Sequence, residues 1–255
     1  HLCDRRQRQM CIRDRIKGVP HLTPQLFELE YNSENVSMFP AIINTIFMIV
    51  LSLLVAGPLG IFAAVYLVEY AKKGNKLVSV VRVTAETLTG IPSIVYGLFG
   101  MLFFVTTLRW GYSMLAGAFT LAIMVLPVIM RTTEEALLAV PDTYREASFG
   151  LGAGKLRTIF VVILPSAVPG IFSGVILSIG RIVGETAALM YTAGTVAELP
   201  DSVMSSTRTL SVHMYSLASE GLYVNQAYAT AVVLLVIVLV INWLSGRIAR
   251  KIKKG

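Results

Sequence analysis

Apolar residues fall in long unbroken runs, separated by short stretches that carry charge, proline or glycine, and nothing alternates with a period of two. A helix rises 1.5 Å per residue, so about 20 apolar residues cross a hydrocarbon core. Five runs approach that length: Phe39 to Val68, Gly90 to Leu108, Tyr112 to Met130, Val168 to Tyr191 and Gln226 to Leu244. Pro58, Pro92 and Pro127 lie in or beside them, where neighbours in a bundle can re-satisfy freed carbonyls. A membrane barrel needs alternating segments of about 10 residues. The pattern therefore predicts an all-α, polytopic transmembrane bundle.

Composition sharpens this. A soluble domain is about 45 to 50% apolar and about 25% charged, whereas this chain of 255 residues is 55% hydrophobic and 15% charged. Its net charge of +7 raises the question of nucleic acid. The positive residues, however, sit in loops between apolar runs, so topology explains them and no nucleic-acid partner is expected.

Lys72, Lys73, Lys76 and Arg82 follow the first run; Arg131, Arg145, Lys155 and Arg157 follow the third; Arg247, Arg250, Lys251, Lys253 and Lys254 close the chain. By the positive-inside rule these faces are cytoplasmic, the C-terminus included, in a multi-pass cell-membrane protein. The other face carries Arg109 and, between Thr192 and Asn225, a single Arg208 against Glu198, Asp201 and Glu220, and reads as external.

Five spans ending inside put the N-terminus outside, where Arg5, Arg6, Arg8, Arg13, Arg15 and Lys17 break the rule. The opening HLCDRRQRQMCIRDR resembles translated sequencing-adapter read-through, with no apolar stretch or small-residue cleavage site of a leader. Residues 1 to 15 are set aside as non-native, and with them Cys3 and Cys11, so no disulfide, metal or redox chemistry is expected. One further span upstream would restore an inside N-terminus. Residues 16–38, with Glu28, Glu30 and Glu34, then form an external segment ahead of a transmembrane domain over 39–255. That domain holds a cytoplasmic loop at about 138–160 and an external segment at about 192–225.

An ionised side chain at bilayer depth costs at least about 2.5 kcal/mol, which makes Arg181 and Glu185 functional candidates. At about 100° per residue, Gly170, Gly174, Ser178, Arg181, Gly184, Glu185 and Ala188 share one arc of about 120°. Small residues on one face let helices approach closely, so Gly170, Gly174 and Gly184 are read as packing positions. The opposite face, with Ile171, Val175, Ile182 and Leu189, is left for lipid or apolar neighbours. Arg181 and Glu185, four apart, can pair. Either the pair only fixes packing, or Arg181 is a pathway cation for an oxyanion, its planar guanidinium being suited to bidentate contact, with Glu185 holding it between passages. Arg82 with Glu86 reads as an interfacial helix pair, Arg131 with Glu134 and Glu135 as a solvated helix end, and His213 has no metal-ligand neighbour.

The loop at 138–160 is long enough to hold its own elements. Pro141 and Asp142 predict a helix start, and Ala147, Ser148, Gly150, Gly152, Ala153 and Gly154 leave a surface poor in bulk, suited either to docking on a partner or to a flexible re-entry loop. GLGAGK is not a phosphate loop, since Phe149 stands where glycine is needed and Leu156 where a hydroxyl is needed. If ATP is used, another subunit binds it.

Glu146, Ala147, Gly152 and Leu164-Pro165 stand at the spacing of the EAA loop of ABC importer permeases, departing at Ser148 and Val162. GIPSIVYGLFG (90–100), LPVIMRTTEEALLAVP (126–141) and GRIVGETA (180–187) resemble the PstA-type permease family of phosphate ABC importers. The resemblance implies a six-span subunit beside a second homologous permease, two cytoplasmic ATPases that bind the ATP and magnesium, and an external phosphate-binding protein. It implies no cofactor and no catalytic residue on this chain, phosphate in the path, and a coupling loop to the ATPase that includes Arg145, Glu146, Ala147, Gly152 and Lys155. Two other readings are a permease for sulfate or molybdate, and an ATP-independent carrier or channel. No nucleophile, base and orienting group cluster as an enzyme requires.

Overall fold

The computed structural model describes residues 18–29, 31–32, 35–71 and 75–252. The expectations for Arg5 to Lys17, both cysteines, Glu30, Glu34, Lys72, Lys73, Lys253 and Lys254 lie outside the described residues.

Within them the chain is helical, without strands. After two 3-10 turns, Val19–His21 and Pro24–Phe27, come α1 (Phe39–Val65), extended by a π-helical turn at Tyr66–Tyr70, and α2 (Lys76–Thr89), capped by the Asn75 side chain accepting from Leu77 N–H. Next are α3 (Ser93–Gly100), continued as a π turn over Met101–Thr107, α4 (Met114–Leu138) and α5 (Asp142–Gly150). A short helical turn (Lys155–Arg157) and a π turn (Thr158–Ile163) lead into α6 (Leu164–Gly184). The chain then forms α7 (Ala187–Met190), α8 (Leu210–Glu220) and α9 (Val224–Ile252).

Among the described residues, four helical stretches are long and apolar enough to cross a membrane: Phe39–Tyr70, Met114–Leu138, Lys155–Val183 and Val224–Arg247. A fifth is made only if α2 and α3, bent by 104° across Gly90–Pro92, count as one. The expected run at Gly90 to Leu108 is helical over Ser93–Thr107 and supplies the second half of that fifth span; Pro92 cannot donate to the helix before it, so the apolar stretch takes a new axis. The expected span from Val168 to Tyr191 shifts as well. Its helix begins at Lys155, because a wide π turn ahead of Pro165 accommodates the missing donor, and it ends at Gly184.

Two compact units share these helices: residues 1–51, 93–121 and 182–241, and residues 52–92, 122–181 and 242–255. In the second, Ala64, Leu67, Val78, Met130, Leu137, Ile159 and Ile163 form a buried core between the end of α1, α2, α4 and the start of the sixth helix. There α4 and α6 interlock through small residues. A Cβ on Gly170 would lie 2.5 Å from the Ala136 Cβ, and one on Gly174 would overlap the Thr132 hydroxyl. In the first unit, Leu26, Met38, Ala41, Leu210 and Ala229 make one buried cluster, and Trp110 stacks on Phe104 and meets Phe119 edge-on. Gly97 brings α3 onto α7, where a Cβ would sit 2.8 Å from Ala188 Cα.

Candidate functional site

The loop helix α5 starts where Pro141 fixes an extended backbone and Asp142 supplies an acidic first turn. It stops in a two-bond cap: Gly152 N–H donates to Phe149 O at 2.9 Å and Ala153 N–H to Ser148 O at 3.1 Å, with Gly152 at φ +81°. This is the Schellman arrangement, and a side chain at its left-handed position would be strained. Gly152 therefore ends the helix.

Departure from the EAA pattern at Ser148 has a local explanation. Its hydroxyl is buried against that of Thr158, 2.8 Å away, and Thr158 also donates to Gly154 O. The hydrogen bond closes the loop on the π turn that follows, which an alanine could not do.

Arg145 turns inward. Nη2 and Nε both donate to Glu69 Oε1, at 2.7 and 3.2 Å; Nη2 also donates to Leu137 O at 3.1 Å, and Nη1 to Val140 O and Asp142 Oδ1, each at 3.0 Å. The side chains of Arg145 and Glu69 are 16% and 9% exposed. One guanidinium thus satisfies carbonyls left over at the C-terminal end of α4 and ties α5 to the end of the first span. At the other end of the loop, Lys155 Nζ lies 4.8 Å from the centre of the Tyr70 ring. The Arg145 guanidinium is thus bonded within this chain, while Glu146, Ala147, Phe149 and Leu151 are exposed, Leu151 at 90%. An open, largely apolar groove of about 1320 Å³ runs beside this face, lined by Tyr144, Ala147, Leu151, Val162, Pro165 and Gly170 among others.

Arg181 is half-buried in the last turn of α6, where a cation meets the negative end of the helix. Glu185 is 8% exposed and lies past the end of that helix. Its Oε1 accepts from Ala188 N–H at 3.0 Å, and its carbonyl accepts from the Ser211 hydroxyl at 2.5 Å. The continuous helical register that sets the two charges four apart stops at Gly184, so the carboxylate serves the start of α7. Gly170 and Gly174 meet α4, whereas a Cβ on Gly184 would touch nothing within 4 Å. Ile171, Ile182 and Leu189, on the face left for lipid or apolar neighbours, meet protein and are buried at 7%, 1% and 0%. The face left open instead holds Ser166, Ser173 and Leu177.

Other charges are paired across helices or along one helix. Arg82 bridges to Glu134, which is nearly buried, and Arg131 reaches Glu86 at 3.6 Å and Glu135 at 3.3 Å. The expected pair of Arg82 with Glu86 is corrected: both reach from α2 to α4. Glu134 is likewise no solvated residue. His213 in α8 is fully buried beside the Tyr31 ring, and desolvation first, then the Arg208 cation, lowers its pKa to about 3, so it is neutral at pH 7. Glu69, Tyr70 and Thr158 join the site only through the fold. A carboxylate three and four residues before Lys72 and Lys73, at the end of an apolar run, is the sequence signal for Glu69.

Residues 56–254 match the family described as binding-protein-dependent transport system inner membrane component. Among curated proteins, the probable ABC transporter permease protein YqgI of Bacillus subtilis is 36% identical over 229 residues, 82% of this chain and 78% of that protein. The phosphate transport system permease protein PstA of Pasteurella multocida is 43% identical over 180 residues, 69% of this chain and 63% of its own length. The PstA of Haemophilus influenzae is 33% identical, over 89% of this chain and 81% of that protein. Two solved structures share the fold. A bacterial ABC transporter that imports the acidic polysaccharide alginate superposes with a TM-score of 0.66 at 18% identity, covering 91% of this chain and 88% of that one. The inward-facing MetNI methionine ABC transporter gives 0.64 at 20%, covering 84% and 94%.

Proposed function

The chain belongs to the family of binding-protein-dependent transport system inner membrane components, and from that premise we propose that it is the permease subunit of an ATP-driven phosphate importer. The observation that carries the reading is the loop helix α5. Clamped from behind by Arg145 and stopped by Gly152, it presents Glu146, Ala147, Phe149 and Leu151 outward, as a docking knob for a separate ATPase. ATP and magnesium belong to that ATPase, and a second permease and an external binding protein complete the assembly.

Phosphate as the cargo draws support from the relatives named as phosphate permeases. Arg181 is the proposed pathway cation, because a planar guanidinium can grip an oxyanion with two donors. Its grip has to be modest, or the ion would not leave. Glu185 is assigned the holding of the broken helix beside it, through Ala188, so that the end of α6 stays open to the path.

The experiment is uptake of labelled phosphate by the assembled complex, with sulfate and molybdate as competitors, for the parent and an Arg181→Gln variant. Phosphate uptake unaffected by the competitors, falling about tenfold or more in the variant, is the expected result, being the loss of at least one charged contact. Suppression by sulfate or molybdate would reassign the cargo, and a parental rate in an assembled Arg181→Gln complex would remove Arg181 from the path.

A further inference from the structure

The two ends of the loop converge on consecutive residues of one short element. Arg145, in the first half of α5, bonds Glu69; Lys155, just beyond the loop's glycine stop, sits over Tyr70. Both belong to the π-helical turn Tyr66–Tyr70 that terminates the first span. A π turn is wider than the α-helix before it and is a place where a helix yields. Other hydrogen bonds of the loop run to its own flanks, through Leu137 O on α4, Val140 O in the connection that follows it, and Thr158 on the turn into α6.

Resting on the docking reading above, we propose that Glu69 and Tyr70 receive the motion of the loop, so that a push on α5 is delivered to α1 as well as to the two helices the loop joins. Glu69 is a positioning residue in this scheme. It touches neither cargo nor nucleotide, and it acts by holding Arg145. An ion pair with little water around it is a stiff link, since separating the charges leaves each one poorly solvated. Arg145 is anchored on both sides, to the carbonyls of Leu137 on α4 and Val140 just after it and to Glu69, so α5 cannot tilt without pulling on the first span or breaking the pair. Tyr70 holds the opposite end of the loop through its ring face, which fixes direction as well as distance.

The test uses the full complex in proteoliposomes and measures three quantities: ATPase retained through purification, ATP hydrolysed, and phosphate transported per ATP. Glu69→Gln keeps the shape but removes the charge, Tyr70→Leu removes the ring, and Glu69→Asp keeps the charge on a shorter arm. Expected for Glu69→Gln and for Tyr70→Leu are a retained ATPase and near-parental hydrolysis, with phosphate per ATP reduced about five- to tenfold, the range of ordinary coupling between sites. Glu69→Asp should recover part of that ratio. A purely structural role would lower assembly, hydrolysis and transport together and leave the ratio unchanged, and that result overturns the proposal. Should Glu69→Gln fail to assemble, Tyr70→Leu decides, with a parental ratio overturning it. A parent complex that retains no ATPase would instead refute the docking reading.

Discussion

At Gly174 one missing methyl group sets how closely two helices approach. The Thr132 hydroxyl occupies the place a Cβ would take and is itself bonded to Val128 O at 2.8 Å, so it cannot swing away without losing that bond. Gly184 has the same residue type on the same helix, with nothing facing it in this chain. Gly174→Ala should therefore destabilise by about 1 to 3 kcal/mol through overpacking, whereas Gly184→Ala should change stability by less than about 0.5 kcal/mol. Thermal unfolding of the purified protein in detergent measures both, and equal shifts would contradict the interlock. The glycine stripe was legible in the sequence as a periodic face. Which of its members meets a neighbour was not, because that depends on where Thr132 and Ala136 lie.

Between elements, charge pairing separates helices that differ little in apolar pattern. Arg82 to Glu134 and Arg131 to Glu86 both link α2 to α4, yet Glu134 has a side chain 12% exposed and Glu135 one that is 66% exposed. Glu134→Gln should cost about 1 to 3 kcal/mol, as loss of a charged hydrogen bond at a poorly hydrated site. Glu135→Gln should cost well under about 1 kcal/mol, and high salt should erase most of that effect. Denaturation of the two variants at low and high ionic strength distinguishes them. From the sequence, Arg82 and Glu86 four residues apart suggested a pair within one helix; a helix lying alongside offered each a better partner and won.

For the molecule as a whole, orientation follows from loop charge. The loop at 138–160 and the C-terminal tail both carry clustered basic residues and should face the same, cytoplasmic side. Leu151, 90% exposed, is the position to mark. In a chain with Cys3 and Cys11 replaced by serine, Leu151→Cys should react with a membrane-impermeant thiol reagent in inside-out vesicles and not in intact cells. Presence of the ATPase should protect it. Labelling from the cell exterior would invert the topology and end the docking reading with it.

Local information was enough to read the apolar runs, the start of α5 at Pro141 and Asp142, and the helical class, because each depends on bonds a few residues apart or on transfer of a contiguous segment from water. The glycine spacing of the loop was legible for the same reason: Gly152 completes a cap with Phe149 and Ser148, its near neighbours. Folding in three dimensions was needed to turn Arg145 inward onto Glu69, 76 residues away, to break the helix at Glu185, and to bury Ile171 and Ile182. A long-range ion pair or a buried face is chosen by which helix comes to lie alongside, and helical phasing along a single segment contains no record of its neighbour.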